Sequence, residues 1–158
     1  MMKRRVFVVR MAGMAAIGMM GDQLWAQASS WRSAPTPITV YKSSTCGCCK
    51  AWVEHLQVNG FSPVVHDEEE MDQLKENLGV PSDVRSCHTA QLNGYLIEGH
   101  VPASDIRRLL AERPKTAGLA VPGMPPLTPG MAPKGVEPRG FEVVAFQLDG
   151  TTRTFASH

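Results

Sequence analysis

An α/β fold is predicted, with strands and helices alternating along most of the chain and a hairpin closing it. Three observations predict it: apolar residues alternate at every second position from Ile38, they recur at helical spacing after Cys49 and again after Met71, and the pairs Asn93-Gly94 and Asp149-Gly150 mark tight hairpin turns. The composition fits one globular domain, with 158 residues, 43% hydrophobic, 20% charged and a formal net charge of +1. That near-neutral balance, without a basic run beyond the first ten residues, excludes an electrostatic nucleic-acid binder.

Ile38 and Val40, alternating with Thr39 and Tyr41, make a short first strand that Ser43, Ser44 and Thr45 end. Trp52, Val53 and Leu56 follow Cys49 at i+3, i+4 and i+7, an amphipathic helix stopped by Gly60. Phe61 to His66 is a second strand. Met71, Leu74 and Leu78 form a second helix closed by Gly79-Val80-Pro81, and the acidic run Asp67 to Glu70 before it is expected to favour the positive end of its dipole. Strands at His88 to Leu92 and Tyr95 to Glu98 flank Asn93-Gly94. Val101-Pro102 opens a third helix with the stripe Ile106, Leu109 and Leu110, ending at Pro114. Strand, helix, strand, helix, hairpin, helix is the order of a thioredoxin-like core, with the first two strands parallel.

Residues 114–138 carry seven Pro and four Gly and are expected to form an irregular loop, in which Pro122-Gly123-Met124 recurs as Pro129-Gly130-Met131. A carboxy-terminal hairpin is expected over 140–156. At the other end, Lys3, Arg4 and Arg5, the apolar stretch Met11 to Gly21 and the small-x-small pattern Ala26-Gln27-Ala28 predict an export signal over residues 1–28. The stretch is shorter than the roughly 20 residues of a membrane span. Arg4-Arg5-Val6-Phe7 weakly resembles a twin-arginine signal, the general secretory route being the expected one. A leader at 29–35 and one domain of thioredoxin-like order at 36–158 would follow. Cleavage would leave 12 basic and 14 acidic residues, a charge of −2, on an exported protein expected to carry no membrane anchor.

All four cysteines lie in that domain. Cys46 and Cys49 have C-x-x-C spacing with Cys48 between them, directly after a strand and at the start of a helix, where unpaired N–H groups and the dipole favour a thiolate. A thiolate is both a nucleophile and a soft-metal ligand. Antiparallel return strands bring Cys87-His88 and then Glu98-Gly99-His100 to the same sheet edge, and His66 could reach it. Two disulfides are the plain alternative in an exported protein, although three thiols within four residues make a poor staple. Several thiolates suit Cu(I) or Ag(I), with Zn²⁺ as the competitor. Met124 is a candidate thioether ligand and Met131 a weaker one; His55 and His158 read as solvent-exposed.

Taken together, Thr45-Cys46-Gly47-Cys48-Cys49 with Trp52, Gly79-Val80-Pro81, Ser86-Cys87-His88-Thr89, Glu98-Gly99-His100-Val101-Pro102-Ala103 and Gly118 to Pro125 resemble the CopG-type copper-resistance proteins, a thioredoxin-like family long catalogued as a domain of unknown function. The resemblance implies periplasmic copper handling, with Cys46, Cys48, Cys49 and Cys87 as thiolate ligands or redox partners and His88 and His100 as accessory ligands. Copper-handling proteins of the periplasm are the implied partners. The chain departs from the family pattern at Pro126-Leu127-Thr128. Ordinary thioredoxins place a cis-proline before their third core strand, where this chain has Cys87, a replacement that favours closing a metal site over docking a disulfide substrate. Three functions stay open: a Cu(I)- or Ag(I)-binding resistance protein, with or without copper redox activity, a thiol-disulfide oxidoreductase using Cys46 and Cys49, and a zinc- or disulfide-stabilised module.

Overall fold

The computed structural model describes residues 34–158; the expected export signal and nearly all of the leader lie outside them. Among the described residues a mixed sheet of seven strands is flanked by three α-helices. In chain order these are β1 (Thr36–Lys42), α1 (Gly47–Val58), β2 (Phe61–Asp67), α2 (Met71–Asn77), β3 (His88–Leu92), β4 (Tyr95–Glu98), α3 (Ala103–Glu112), β5 (Gly118–Ala120), β6 (Glu142–Phe146) and β7 (Thr152–Ser157), with a 3₁₀ turn at Ser82–Val84. The strand order across the sheet is β2-β1-β3-β4-β5-β6-β7. As the chain order implied, β1 and β2 are parallel, whereas β1 with β3 and β3 with β4 are antiparallel.

Strand alternation builds two different faces. Val40, Ala90, Ile97, Leu119 and Ala145 lie opposite one another across five successive strands, and all are buried. They make the floor of the main core, on which Trp52, Val53 and Leu56 of α1 and Ile106 and Leu109 of α3 pack. Each such side chain contributes about 1.5–3 kcal/mol when fully buried. The other face carries a smaller cluster of Val80, Val84, Leu96, Ala120 and Phe146, with Leu78 beside it.

Three local expectations need correction. Helix α2 starts at Met71, so only Asp72 lies in its first turn; Asp67 belongs to β2, and Glu68 to Glu70 precede the helix. The run is held by short-range partners instead: the Lys42 ammonium donates to Asp67 at 2.6 Å and the Ser44 hydroxyl to Glu69 at 3.0 Å. Secondly, the stretch 114–138 is not wholly irregular, because Gly118–Ala120 pairs with β4 on one side and β6 on the other. Only glycine fits there, since a Cβ on residue 118 would lie 1.8 Å from the Leu96 carbonyl oxygen. Composition concealed a strand whose backbone is fully paired. The third concerns His55, which is half-buried: its Nε2 accepts the Ala103 N–H at 3.1 Å. Helix α3 has Pro102 at its N-cap with no capping side chain of its own, so the imidazole supplies the cap from α1. His158 also has partners, with Nε2 at 2.7 Å from Asp105 and its ring stacked on Phe141.

The His55 cap requires a neutral ring. Burial, and then the Arg107 charge, hold its pKa below the ordinary value. The unfolded state therefore binds the proton first, and the cap's contribution is present above about pH 6.5 and lost as pH falls through the folded-state value. His88 and His100 are displaced in the same direction. The expected outcome is a loss of unfolding free energy between pH 7.5 and 5.5 that is smaller in His55→Gln, whose amide oxygen accepts the bond at every pH. An equal loss in both proteins, followed by urea denaturation, would refute the cap.

Candidate metal centre

The site forms where three chain segments meet at one end of the sheet. Lys42 ends β1 opposite His88, the first residue of β3, and Thr89 lies opposite Glu98, the last of β4. The turn after β1 is closed by the Cys46 N–H donating to the Ser43 carbonyl at 3.1 Å, and Cys46 is the N-cap of α1. Cys49 thus points inward one turn later and is fully buried, while Cys46 and Cys48 are half-buried.

Cys46 and Cys49 are joined by a disulfide, and Cys48 and Cys87 are free. Neither the pair of staples nor the fully reduced cluster is what the structure holds. The Cys48 sulfur lies 3.6 Å from that of Cys46, and the Cys49 sulfur 3.9 Å from the Cys87 carbonyl oxygen. Sulfurs of Cys46, Cys48, Cys49 and Cys87 all lie within 4.8 Å of one another, and Cys87 also groups with ring nitrogens of His88 and His100 within the same limit. Both sets could hold a metal, and Cys87 is common to them.

The nitrogen donors are held from behind. His100 Nδ1 lies 2.7 Å from the Pro129 carbonyl oxygen, which fixes the proton on Nδ1 and turns the Nε2 lone pair toward the Cys87 sulfur at 3.2 Å. His88 Nδ1 is 3.3 Å from the same sulfur, and its ring packs on Trp52 with centroids 4.3 Å apart. Trp52 in turn donates from Nε1 to the Val101 carbonyl at 2.9 Å. His88 Nε2 is buried and has no hydrogen-bond partner among the described residues. A buried, unpaired ring nitrogen costs on the order of 1–3 kcal/mol.

Protonation follows from burial. The Cys87 thiol is pushed up to about 12, first by desolvation and then by the neighbouring Cys48. His88 is held well below the ordinary imidazole value by burial, by His100 and by the Lys75 charge, and His100 is lowered by burial against the opposing Pro129 carbonyl. The imidazoles are neutral and ready to donate. The helix N-terminus that favours a thiolate belongs to Cys46 and its neighbours; Cys87 sits just before β3, outside that helix, and burial keeps it a thiol.

Other predicted residues lie elsewhere. His66 is exposed and stacks on Tyr41. Met124 is 57% exposed, next to Gly123, whose N–H donates to the Arg85 carbonyl and whose carbonyl accepts from Ser86 Oγ. The loop is therefore tied beside Cys87. In the second Pro-Gly-Met unit it is the backbone that touches the site: Pro129 orients His100, and Gly130 packs against the backbone of α1 between Cys48 and Trp52, while Met131 is half-buried. Thr128, at the departure from the family pattern, is fully buried and bonded to the Pro125 carbonyl. Unsuspected in the sequence was the buried polar group of Lys75 with Thr89 and Glu98, the latter two on the strands that follow Cys87 and precede His100.

Two solved structures titled copper resistance protein copG, forms 1 and 2, are each 43% identical to this chain, with a TM-score of 0.71, and cover 78% of it and 98% of their own length. The chain belongs to the CopG-type copper resistance family. A family profile described as a protein of unknown function, DUF411, matches residues 84–131, the segment from before Cys87 through Met131. No curated protein matches.

The covering loop gives a direct test. At Gly130, φ is +84° and a Cβ would lie 2.7 Å from the Trp52 nitrogen, whereas at Gly123, φ is +67° with nothing within 4 Å. Gly123→Ala should cost only the left-handed penalty of roughly 1–2 kcal/mol. Gly130→Ala should cost clearly more, read from denaturant midpoints, and equal costs would show that the loop is free to lift from α1.

Proposed function

We propose that this protein binds Cu(I) as cargo in periplasmic copper resistance or homeostasis, through Cys46, Cys48, Cys49 and Cys87, with His88 and His100 as nitrogen donors and Met124 as an accessory thioether. The observation that carries the reading is Cys87, whose sulfur is shared between a four-sulfur group and a sulfur-imidazole group. Soft thiolates favour Cu(I) or Ag(I); three Cys and one His would also suit Zn²⁺. The similarity to proteins named for copper resistance supports copper among these. The arrangement of β1 to β4, with a C-x-x-C at the start of α1, supports a thioredoxin-like core.

Chemistry then follows from the residues. The Cys46–Cys49 disulfide must take up two electrons and two protons from a dithiol donor before those sulfurs can bind metal. Each thiol gives up its proton as the ion binds. Because Cys87 holds its proton up to about 12 in the metal-free protein, Cu(I) affinity should rise with pH between 5.5 and 8. A pH-independent affinity, measured by competition against a Cu(I) chelator, would remove Cys87 from the ligand set.

A second reading, thiol-disulfide exchange by Cys46 and Cys49, is favoured by the disulfide itself. Cys87 separates the two. Exchange by the C-x-x-C pair needs no thiol from β3, so Cys87→Ala should keep disulfide turnover while losing copper tolerance and Cu(I) retention, with His100→Ala a milder form of the same loss. Cys46→Ser and Cys49→Ser should weaken binding far more than His55→Ala. Full copper tolerance in Cys87→Ala, with Cys46→Ala abolishing disulfide exchange alone, would favour the oxidoreductase.

A further inference from the structure

Beneath the metal centre, on the opposite face of the sheet, lies a charged group that the proposed chemistry does not use. Lys75 of α2 is 2% exposed and Glu98 of β4 is 0% exposed. The Lys75 ammonium donates to Glu98 Oε1 and, at 2.8 Å, to Thr89 Oγ1, which donates onward to Glu98 Oε2 at 2.7 Å. Glu98 Oε1 also accepts the Ser86 backbone N–H at 2.7 Å. The donors directed at this carboxylate come from α2 and from both sides of Cys87-His88. Burying an ion pair commonly stabilises no better than apolar residues of the same volume, so stability alone is a weak reason for it.

Its connections supply another reason. Ser86 is followed by Cys87 and His88, Thr89 follows them in β3, and Glu98 is two residues before His100. One carboxylate therefore ties together, from below, the two segments that carry the sulfur and imidazoles above. Cys87 Sγ and His100 Nε2 are 3.2 Å apart, close to the roughly 3.6 Å that two ligands span around one tetrahedral ion with ordinary metal–sulfur and metal–nitrogen bonds.

We propose that Lys75, Thr89 and Glu98 are positioning residues of the metal centre, setting the separation of Cys87 from His100 before the ion arrives. The inference rests on the Cu(I) reading for its consequence, not for its geometry. Groups behind the ligands of a metal site typically govern about 10- to 100-fold in affinity.

The test uses Lys75→Met/Glu98→Leu, which replaces both charges by apolar groups, and Thr89→Val, which removes one bridge and carries the test should the double variant fail to fold. Wild type and variants are compared in two arms at fixed pH: alkylation of Cys87 in reduced, metal-free protein by mass spectrometry, and Cu(I) competition with X-ray absorption of the loaded protein. The folded double variant should alkylate Cys87 several-fold faster and bind Cu(I) at least about tenfold more weakly, with a reduced nitrogen contribution; Thr89→Val should shift both the same way by less. A folded variant matching wild type in both arms would overturn the proposal. Wild type that binds no Cu(I) overturns the copper reading instead, and the alkylation arm still decides the positioning.

Discussion

The antiparallel register of β1, β3 and β4 is the constraint on which the rest depends. Lys42 opposite His88 and Thr89 opposite Glu98 bring the end of β1, the start of β3 and the end of β4 to one edge of the sheet. Because side chains alternate, a slip of one residue would move His88 from the Trp52 face to the face of Thr89 and Glu98, and separate it from Cys87's other neighbours. The apolar row from Val40 to Ala145 opposes that slip, since it would take Ala90 out from between Val40 and Ile97 on the core face. Core packing and ligand placement are the same decision.

That register also divides labour between the faces. On one, Trp52, His88 and His100 form a nearly dry wall around Cys87, with the two imidazole centroids 5.0 Å apart. On the other, Lys75, Thr89 and Glu98 satisfy one another where water is excluded. Burial raises the Glu98 carboxyl against the pull of Lys75, so the pair lives between two large opposing effects. The dry wall has the opposite character: it holds Cys87 protonated and leaves His88 Nε2 without a partner among the described residues.

The proline-rich segment closes the site through its backbone. Pro129 presents a carbonyl to His100, Gly130 lets the loop touch α1, and the Ser86 to Gly123 bond anchors the first Pro-Gly-Met unit beside Cys87. A stiff loop fixes such contacts at little entropic cost, because its prolines are already restricted in the unfolded chain.

The local elements were legible in the sequence because period and turn chemistry are local quantities: the alternation at Ile38 to Tyr41, the stripe Trp52, Val53 and Leu56, and the Asn93-Gly94 turn correspond to β1, α1 and the β3–β4 hairpin. The gathering of Cys46, Cys49, Cys87 and His100 was legible too, once the element order was read as thioredoxin-like, which sets the strand after Cys87 antiparallel to the first. Tertiary structure alone decided the rest. Gly118 reads as loop until the close approach to Leu96 is known, and His55 reads as exposed until α3 presents an uncapped N-terminus to it. Lys75 carries no sequence sign of burial, because a lysine on a short helix is ordinarily solvated and only the fold brings Glu98 and Thr89 to its ammonium. Local pattern determines which elements form. Contacts between residues far apart in the chain determine which polar groups lose their water, and that loss settles their protonation and their partners.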